Sequence, residues 1–269
     1  MNLFKKRPPH PLEGYASKLR LDMLEATYSA GAAHIGGALS VLDPLIALYY
    51  SGLFDFSKDH FILSAGHLCL AHYAILANLK NISQKKLNTF SSFGSIFQGH
   101  ESIDVPGVEF SSGSLGQGLS FACGLALGDK DHHTVCVTSD GEHNEGQIWE
   151  SLLFANKYHL GNLINIVDYN NVQIDGTTHD IMPLGELAAK YIKFGWTVIT
   201  VDGHNFYDLV SAIKKSKDST IYPACIIAKT TFGKGVSYME NNPDYHHVKN
   251  LSETLYHQAI NELSMKNDK

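Results

Sequence analysis

The stretch "TSDGEHNEG", residues 138–146, joins the apolar run "HTVCV" to "QIWESLLFANKYHL", whose apolar residues recur with a helical period. This order is typical of a buried strand that turns into a helix, and such a turn by itself requires only the glycine. The acid and the other polar residues therefore need a further explanation. In an open parallel sheet, ligands bind beyond the carboxyl ends of the strands, so we expect a binding site at this turn.

Short runs rich in apolar and β-branched residues recur along the chain and alternate with helical patterns. They predict strands at "HFILS", "VEFSS", "HTVCVTS", "NLINIVDY", "GWTVITVDG" and "YPACIIAKT". Several are too apolar to have a solvent face, which predicts an α/β fold with a parallel sheet covered by helices on both faces. Residues 15–50 have the pattern of two helices interrupted near "HIGGALS". We predict one domain over residues 15–269, after an N-terminal extension at residues 1–14.

Composition excludes several classes of protein. The 269 residues are 44% hydrophobic, enough for a buried core, and the net charge of −6 disfavours nucleic acid and anionic lipid as partners. The four cysteines show no CxxC spacing and indicate buried thiols in a reducing compartment rather than zinc or disulfides. The first residues, "MNLFKKRPPHPLEG", lack the apolar stretch and cleavage site typical of a signal peptide, and no apolar run reaches the length expected of a membrane span. These features predict a cytoplasmic protein.

Asp140 and Asn170 follow two successive predicted strands. A carboxylate at a strand end can ligate a hard cation, Gly141 permits a tight turn, and the N-terminus of the next helix favours anions. The simpler alternative is that Asp140 only caps that helix. Asn170 in "VDYNNVQIDG" offers a second oxygen ligand, and together the two residues predict a Mg²⁺ (or Ca²⁺) ion that holds a diphosphate.

The segments "SDGEHNEG" and "VDYNNVQIDG", taken together, resemble the thiamine diphosphate motif, which opens with Gly-Asp-Gly and closes on an Asn. Ser139 stands where the motif has its first glycine. Four more segments resemble transketolases, in the right order: "AGAAHIGGALS", "FILSAGHLCLAHYAIL", "GHESIDVPGVEFSSGSLGQGLSFACGLALG" and "KTTFGKGVSYMENNPDYHHV". The resemblance implies the diphosphate-binding (PP-type) fold of that family, with thiamine diphosphate as cofactor.

The glycine-rich stretches do not match the other common nucleotide-binding motifs. "GSLGQGLS" has its glycines in the wrong order for a dinucleotide fingerprint, and "FGKGVS" lacks the Ser or Thr of a P-loop. Most of the 15 histidines are expected to be ordinary residues. Four match the active-site histidines of transketolases: His34, His67, His100 and His246. The last segment has Tyr245-His246-His247 where the family has aromatic-His-Gly, so the choice between His246 and His247 stays open.

The resemblance also implies a role for each matched residue. His34 and His246 would act as general acids and bases, whereas His67 and His100 would bind the diphosphate and the sugar oxygens. Asp140, Asn170 and the backbone carbonyl of Val172 would ligate the metal. The remaining implied cofactor contacts are the amides of Gly113 and Gly141, the side chains of Leu115 and Ile174 against the thiazolium ring, and His67 and His246.

A complete transketolase is more than twice as long, and nothing here resembles its pyrimidine-binding domain. The resemblance therefore implies a separately encoded C-terminal subunit that completes the active site, in a heterotetramer with two copies of each chain, acting on sugar phosphates of the pentose phosphate pathway. Glu145 and Glu150 match interface acids that relay protons between paired sites, but they fit two exposed helix acids equally well.

Two alternatives remain at this stage. One is a subunit of another thiamine enzyme, similar to 1-deoxyxylulose-5-phosphate synthase or a 2-oxo acid dehydrogenase. The other is a non-catalytic assembly module that retains the fold. "HIGGALS" and "FILSAGH" favour transketolase over the other thiamine enzymes.

Overall fold

A parallel sheet lies at the centre of the structure, a computed structural model that describes residue 8 and residues 10–265. Of the predicted N-terminal extension, residues 1–7 and 9 lie outside this part of the chain. The strands are β1 (Ala32–Ala33), β2 (His60–Leu63), β3 (Thr134–Ser139), β4 (Leu163–Tyr169), β5 (Val172–Gln173), β6 (Gly176–Thr177), β7 (Thr197–Asp202), β8 (Ala224–Lys229) and β9 (Val248–Lys249). The main sheet has the order β2-β3-β4-β8-β7, and all of its neighbouring strands are parallel.

Helices cover both faces of this sheet. They are α1 (Glu13–Ala30), α2 (Ile35–Tyr50), α3 (Cys69–Asn78), α4 (Gln84–Leu87), α5 (Gln117–Gly128), α6 (Gly146–Lys157), α7 (Thr178–Ile181), α8 (Leu187–Lys193), α9 (Phe206–Lys217) and α10 (Glu253–Met265). Among the described residues, no helix combines the length and the apolar character that crossing a bilayer requires.

The side chains of the central strands alternate between two apolar cores. Val135 and Val137 of β3 pack with α1, α2 and α3 on one face, whereas Cys136 packs with α5 and α6 on the other. This is the period of two that a strand imposes, and it leaves β3 buried at every position. The predicted α/β fold with a covered parallel sheet is confirmed. All four cysteines are free and buried, as predicted.

The segment 108–112, "VEFSS", was predicted as a strand and does not form one. Glu109 instead accepts a hydrogen bond from the backbone N–H of Phe61 (2.8 Å) through its side chain, at the edge strand β2. Its carboxylate also accepts one from Nδ1 of His60 (2.6 Å). The prediction is wrong because side-chain contacts here take the place of a backbone ladder.

The predicted break between the first two long helices is confirmed next to "HIGGALS". Residues 31–34 form the break and α2 starts at Ile35, so the glycines of "HIGGALS" lie inside the first turn of the helix. A Cβ on Gly36 would overlap the ring of Phe232, and one on Gly37 would lie 2.5 Å from Leu68. The two glycines therefore permit close packing onto neighbouring loops rather than interrupting the helix.

Candidate cofactor-binding and active site

A cavity of about 300 Å³ lies at the carboxyl edge of the main sheet. The loops that follow β2, β3, β4 and β8 contribute to it, because the carboxyl ends of parallel strands meet at one edge. Of the eleven residues to which the resemblance assigns a catalytic, cofactor or metal role, ten line this cavity: His34, His67, His100, Gly113, Leu115, Gly141, Asn170, Val172, Ile174 and His246. The eleventh, Asp140, is fully buried next to Gly141.

The four predicted histidines form a cluster centred on His34. The centroid of the His34 ring lies 5.5 Å from that of His67, 5.7 Å from that of His100 and 5.6 Å from that of His246. The ring centroids of His67 and His246 are 5.7 Å apart. Four segments that are distant in sequence thus present imidazoles to one small volume.

The cluster lowers the pKa of its own members. Burial lowers the pKa of His34 to about 3, and His247, His246 and His100 add to the effect. Burial also lowers the pKa of His67 to about 3, with His34, His246 and His100 as further causes. The pKa values of His100 and His246 are lowered as well, first by burial and then by His247. All four rings thus have pKa values below the ordinary histidine value near 6.5, and the members of the cluster are neutral at neutral pH.

His246 and His247 occupy different positions. His246 lines the cavity and stacks on Phe232, with ring planes only 3° apart. His247 is exposed and lies against His34, with ring centroids 4.6 Å apart. The geometry therefore favours His246 as the residue that faces a bound ligand, and His247 as its neighbour on the outer side of His34.

Asp140 and Asn170 are neighbours at the ends of β3 and β4. The carboxylate of Asp140 accepts hydrogen bonds from the backbone N–H groups of Gly141 (2.8 Å) and Asn171 (2.7 Å). Burial and the charge of Asp168 raise the pKa of Asp140 to about 7. A carboxylate desolvated in this way is stabilised by a cation, which supplies the missing positive charge.

Asn170 is oriented by the buried Asp168. Its Nδ2 donates to a carboxylate oxygen of Asp168 (2.9 Å) and to Oγ of Ser40 (3.2 Å), while its Oδ1 accepts from the backbone N–H of Val172 (2.9 Å). Among the described residues, no group of three or more His, Cys, Asp or Glu could hold a metal. One carboxylate, one amide oxygen and one backbone carbonyl suit Mg²⁺ beside a diphosphate and do not suit zinc. The residues present thus fit the predicted metal and cofactor.

Ser139, which replaces the first glycine of the motif, forms a capping box with Glu142. The backbone N–H of Glu142 donates to Oγ of Ser139 (3.4 Å), and the backbone N–H of Ser139 donates to Oε2 of Glu142 (3.3 Å). Oε1 of Glu142 also accepts from Ser64 Oγ (2.5 Å) and from the backbone N–H of Gly116 (2.7 Å). Glu142 is buried and ties the turn to two other loops of the cavity. The pattern Ser-x-x-Glu in "SDGE" is the signal that identifies this role in the sequence.

His143 explains the remaining polar character of the turn. Its Nδ1 donates to the backbone carbonyl of Ser139 (2.7 Å), and its Nε2 accepts from the hydroxyl of Tyr191 (2.8 Å). Nδ2 of Asn165 donates to the same hydroxyl (2.7 Å). Burial lowers the pKa of His143 to about 4, which keeps the ring neutral. This buried network holds the turn of Asp140 against β4 and α8.

A second buried network supports the loop that carries Phe232 and His246. Arg20 and Asp43 form a buried ion pair (2.7 Å), and Nδ1 of His204 donates to the same carboxylate (2.7 Å). Nε2 of His204 accepts from the backbone N–H of Thr231 (2.8 Å). The start of the loop is thus fixed to α1 and α2, so Phe232 packs over Gly36.

Ile174 lies at the tip of the β5–β6 hairpin with an unusual backbone. Its φ is +50°, in the left-handed region that β-branched residues avoid, and 61% of the residue is exposed. An exposed, strained isoleucine at a cavity wall is consistent with a ligand contact.

Of the two predicted interface acids, Glu145 lies at the cavity and Glu150 lies away from it. Glu145 lines the cavity and contacts the segment of Gly116, whereas Glu150 lies on the outer groove between α5 and α6. Both are exposed.

A parallel sheet that presents an acid, an amide and a cluster of neutral histidines at its carboxyl edge has the features predicted for a domain that binds a diphosphate cofactor. The chain matches the family model described as transketolase, thiamine diphosphate binding domain, over residues 13–268. The chain belongs to the transketolase family. The predicted resemblance is confirmed, and it decides against the other thiamine enzymes.

Two relatives match along nearly their whole length. An apulose-4-phosphate transketolase subunit of Phocaeicola vulgatus is 37% identical over 269 residues, which cover 96% of this chain and 95% of that protein. The 6-deoxy-6-sulfo-D-fructose transketolase subunit SqwG of Clostridium sp. is 37% identical over 265 residues, which cover 94% of this chain and 96% of that protein. Both relatives are named as subunits.

Other transketolases match over less than half of their length. Human transketolase is 31% identical over 274 residues, which cover 95% of this chain and 43% of the human protein. The solved transketolase of Campylobacter jejuni has a TM-score of 0.88 and 28% identity, and the match covers 96% of this chain and 43% of that one. The chain thus has the extent of the N-terminal, cofactor-binding part of these longer proteins.

Proposed function

We propose that this chain is the diphosphate-binding subunit of a split transketolase, which transfers a two-carbon ketol group from a ketose phosphate to an aldose phosphate together with a separately encoded pyrimidine-domain subunit. One observation carries the proposal. Histidines from four separate segments converge on one cavity that Asn170 also lines, with Asp140 buried beside it. A module used only for assembly has no need for this arrangement.

Asp140, Asn170 and the carbonyl of Val172 hold the magnesium ion in this proposal. The amides of Gly113 and Gly141 and the ring of His67 face the diphosphate, and Leu115 and Ile174 flank the thiazolium ring. When bound, thiamine diphosphate supplies the carbanion chemistry that breaks the bond beside a ketose carbonyl. The protein contributes binding, orientation and proton transfer.

His34 and His246 move protons between the enzyme and the sugar hydroxyls. A general base must be unprotonated before it acts, and the lowered pKa values of these two rings keep them neutral. His67 and His100 border the same cavity and donate hydrogen bonds to oxygens of the diphosphate and the sugar. Exclusion of water by the covering subunit strengthens each of these contacts.

The donor is a ketose with a terminal anionic group. The relatives that match over their full length are named for apulose 4-phosphate and for 6-deoxy-6-sulfo-D-fructose, which carry a phosphate and a sulfonate. Among the described residues that line the cavity, none is Lys or Arg. The cations that bind the terminal anion therefore come from the partner subunit.

The partner covers the open side of the cavity, where Ile174 is exposed. We place two copies of each subunit in the assembly, with Glu145 and Glu150 near the interface between paired sites, and we place the enzyme in the cytoplasm, in the pentose phosphate pathway or a related sugar pathway.

The test is reconstitution. The chain is purified alone and co-expressed with the adjacent pyrimidine-domain chain, and ketol transfer is measured with xylulose 5-phosphate, a 4-phosphorylated ketose and a sulfonated ketose. Activity that depends on both chains, with a sedimentation mass of two copies of each, is expected. Transfer by this chain alone, or none by the assembled pair with any of the three donors, would overturn the proposal.

A further inference from the structure

Two buried side chains, His72 and Glu101, and the partly buried Tyr49 form a hydrogen-bonded row outside the cavity lining and outside the set of matched residues. Nδ1 of His72 donates to Oε1 of Glu101 (2.5 Å), and Nε2 of His72 lies 2.7 Å from the hydroxyl of Tyr49. His72 is fully buried and Glu101 is 4% exposed. A glutamate and a histidine that are both removed from water need a specific reason to be there.

The proton positions in this row follow from its chemistry. Burial, and then the charge of Glu101, raise the pKa of Tyr49 well above its usual value, so the phenol keeps its proton. Since the carboxylate of Glu101 can only accept, Nδ1 of His72 donates to it, and in a neutral imidazole Nε2 is then the acceptor for the hydroxyl of Tyr49. The row is thus directional, with each donor matched to one acceptor.

The row joins three of the four segments that present histidines to the cavity. Tyr49 lies near the end of α2, and His34 directly precedes the first residue of that helix. His72 is on α3, which follows directly on the turn that contains His67. Glu101 is the neighbour of His100 in the chain.

The segment around His100 is held in place by hydrogen bonds to neighbouring elements, because it has no regular secondary structure of its own. It belongs to the long connection between α4 and α5, in which residues 88–116 form no helix or strand. The hydroxyl of Tyr73 donates to the carbonyl of His100 (3.2 Å), and the backbone N–H of Ser112 donates to the carbonyl of Glu101 (3.1 Å). Glu101 therefore ties His100 to α3 through its side chain and to the loop of Gly113 through its backbone.

We propose that Glu101 and His72 are positioning residues that hold His100 in its place in the cavity and thereby set the recognition of the ketose donor. Stability alone does not account for them, because a buried charged pair contributes little net stability and apolar replacements are often tolerated. A directional hydrogen bond does fix an orientation, as the partners of metal-bound or catalytic histidines do.

The kinetic test is a double-mutant cycle in the assembled enzyme, and this part rests on the proposed function. Glu101→Leu removes the acceptor and keeps an apolar volume, so kcat/KM for the donor should fall roughly 10- to 100-fold. Glu101→Gln retains an acceptor oxygen and should restore most of that loss. In a His100→Ala background, Glu101→Leu should have no further effect, because it acts through His100.

Glu109→Leu is the matched control. It breaks a glutamate–histidine pair of similar length, with His60 (2.6 Å), outside the cavity, and it should leave kcat/KM unchanged. Independent losses from Glu101→Leu and His100→Ala that multiply in the double variant would overturn the proposal. If Glu101→Leu does not fold, Tyr49→Phe replaces it in the cycle with His100→Ala. No further effect in the double variant would again support the proposal, and losses that multiply would overturn it.

A spectroscopic test does not depend on turnover. In the ¹⁵N-histidine spectrum of the free chain, the ring signals of His100 should shift in Glu101→Leu and in Tyr49→Phe but not in Glu109→Leu. An unchanged His100 signal in the first two variants would refute the positioning role. An inactive wild-type pair with a shifted His100 signal would instead count against the proposed function only.

Discussion

The rings of His34 and His247 lie 4.6 Å apart, although the two residues come from opposite ends of the chain. The antiparallel pair β1–β9 brings them together, because Ala33 is opposite Val248 and each histidine is next to one of these residues. This short ladder also delivers His246 to the cavity. The active-site geometry therefore depends on a contact between the two ends of the domain.

The first prediction concerns proton transfer. His34→Ala and His246→Ala should each lower kcat of the assembled enzyme by roughly 10²- to 10⁴-fold, because each removes a general acid–base group. Binding of thiamine diphosphate, measured by calorimetry, should be largely kept.

His247→Ala is the control for this pair. Since His247 is exposed and does not line the cavity, its removal should lower kcat far less than His246→Ala does. A larger loss from His247→Ala would reverse the assignment of the two neighbours.

The second prediction concerns the metal. Asp140→Ala should abolish the magnesium-dependent affinity for thiamine diphosphate, because the diphosphate would then face a negatively charged protein without its cation. Asp131→Ala removes an exposed acid with the same charge and should leave the affinity unchanged. Titration calorimetry with and without Mg²⁺ distinguishes the two, and normal affinity in Asp140→Ala would remove the metal site from the proposal.

The third prediction is an acid sensitivity caused by the histidine cluster. The folded pKa of His67, about 3, lies below the ordinary value of 6.5, so the unfolded chain binds the proton more readily. Its stabilising effect is complete above pH 6.5 and is lost as the pH falls from 6.5 towards 3. His67→Phe removes this group, so the stability of the wild type relative to the variant should decline over that window. Urea unfolding at several pH values measures it, and a pH-independent difference would contradict the lowered pKa.

The fourth prediction uses the strained backbone of Ile174. Ile174→Gly should raise the free energy of unfolding by up to about 1 kcal/mol, because glycine adopts a positive φ without strain. It should also weaken thiamine diphosphate binding, because the apolar wall is lost. Ile221 is similarly exposed, at 60%, and is not among the residues with positive φ, so Ile221→Gly should not stabilise the chain. Unchanged cofactor affinity in Ile174→Gly would show that the Ile174 side chain has no role in binding.

Local chemistry made much of the site predictable from the sequence. Asp140 and Asn170 follow buried strands, and the carboxyl ends of parallel strands share one edge, so their proximity follows from strand order alone. The segments around His34, His67 and His100 stand beside glycines or in loops whose pattern matches the family. Glu142 was not predicted, although the Ser-x-x-Glu spacing that gives its capping box with Ser139 is present in the sequence.

Contacts between distant segments were decided by the tertiary structure alone. No local pattern pairs His72 with Glu101, His143 with Tyr191 or Arg20 with Asp43, because each pair meets only after the helices have packed on the sheet. The same applies to the choice between His246 and His247, which depends on the register of β1 against β9. The lowered pKa values of the cluster arise from burial and mutual repulsion. The sequence by itself thus determined which chemical groups are present at the strand ends, and the packing of distant segments decided how they are oriented and charged.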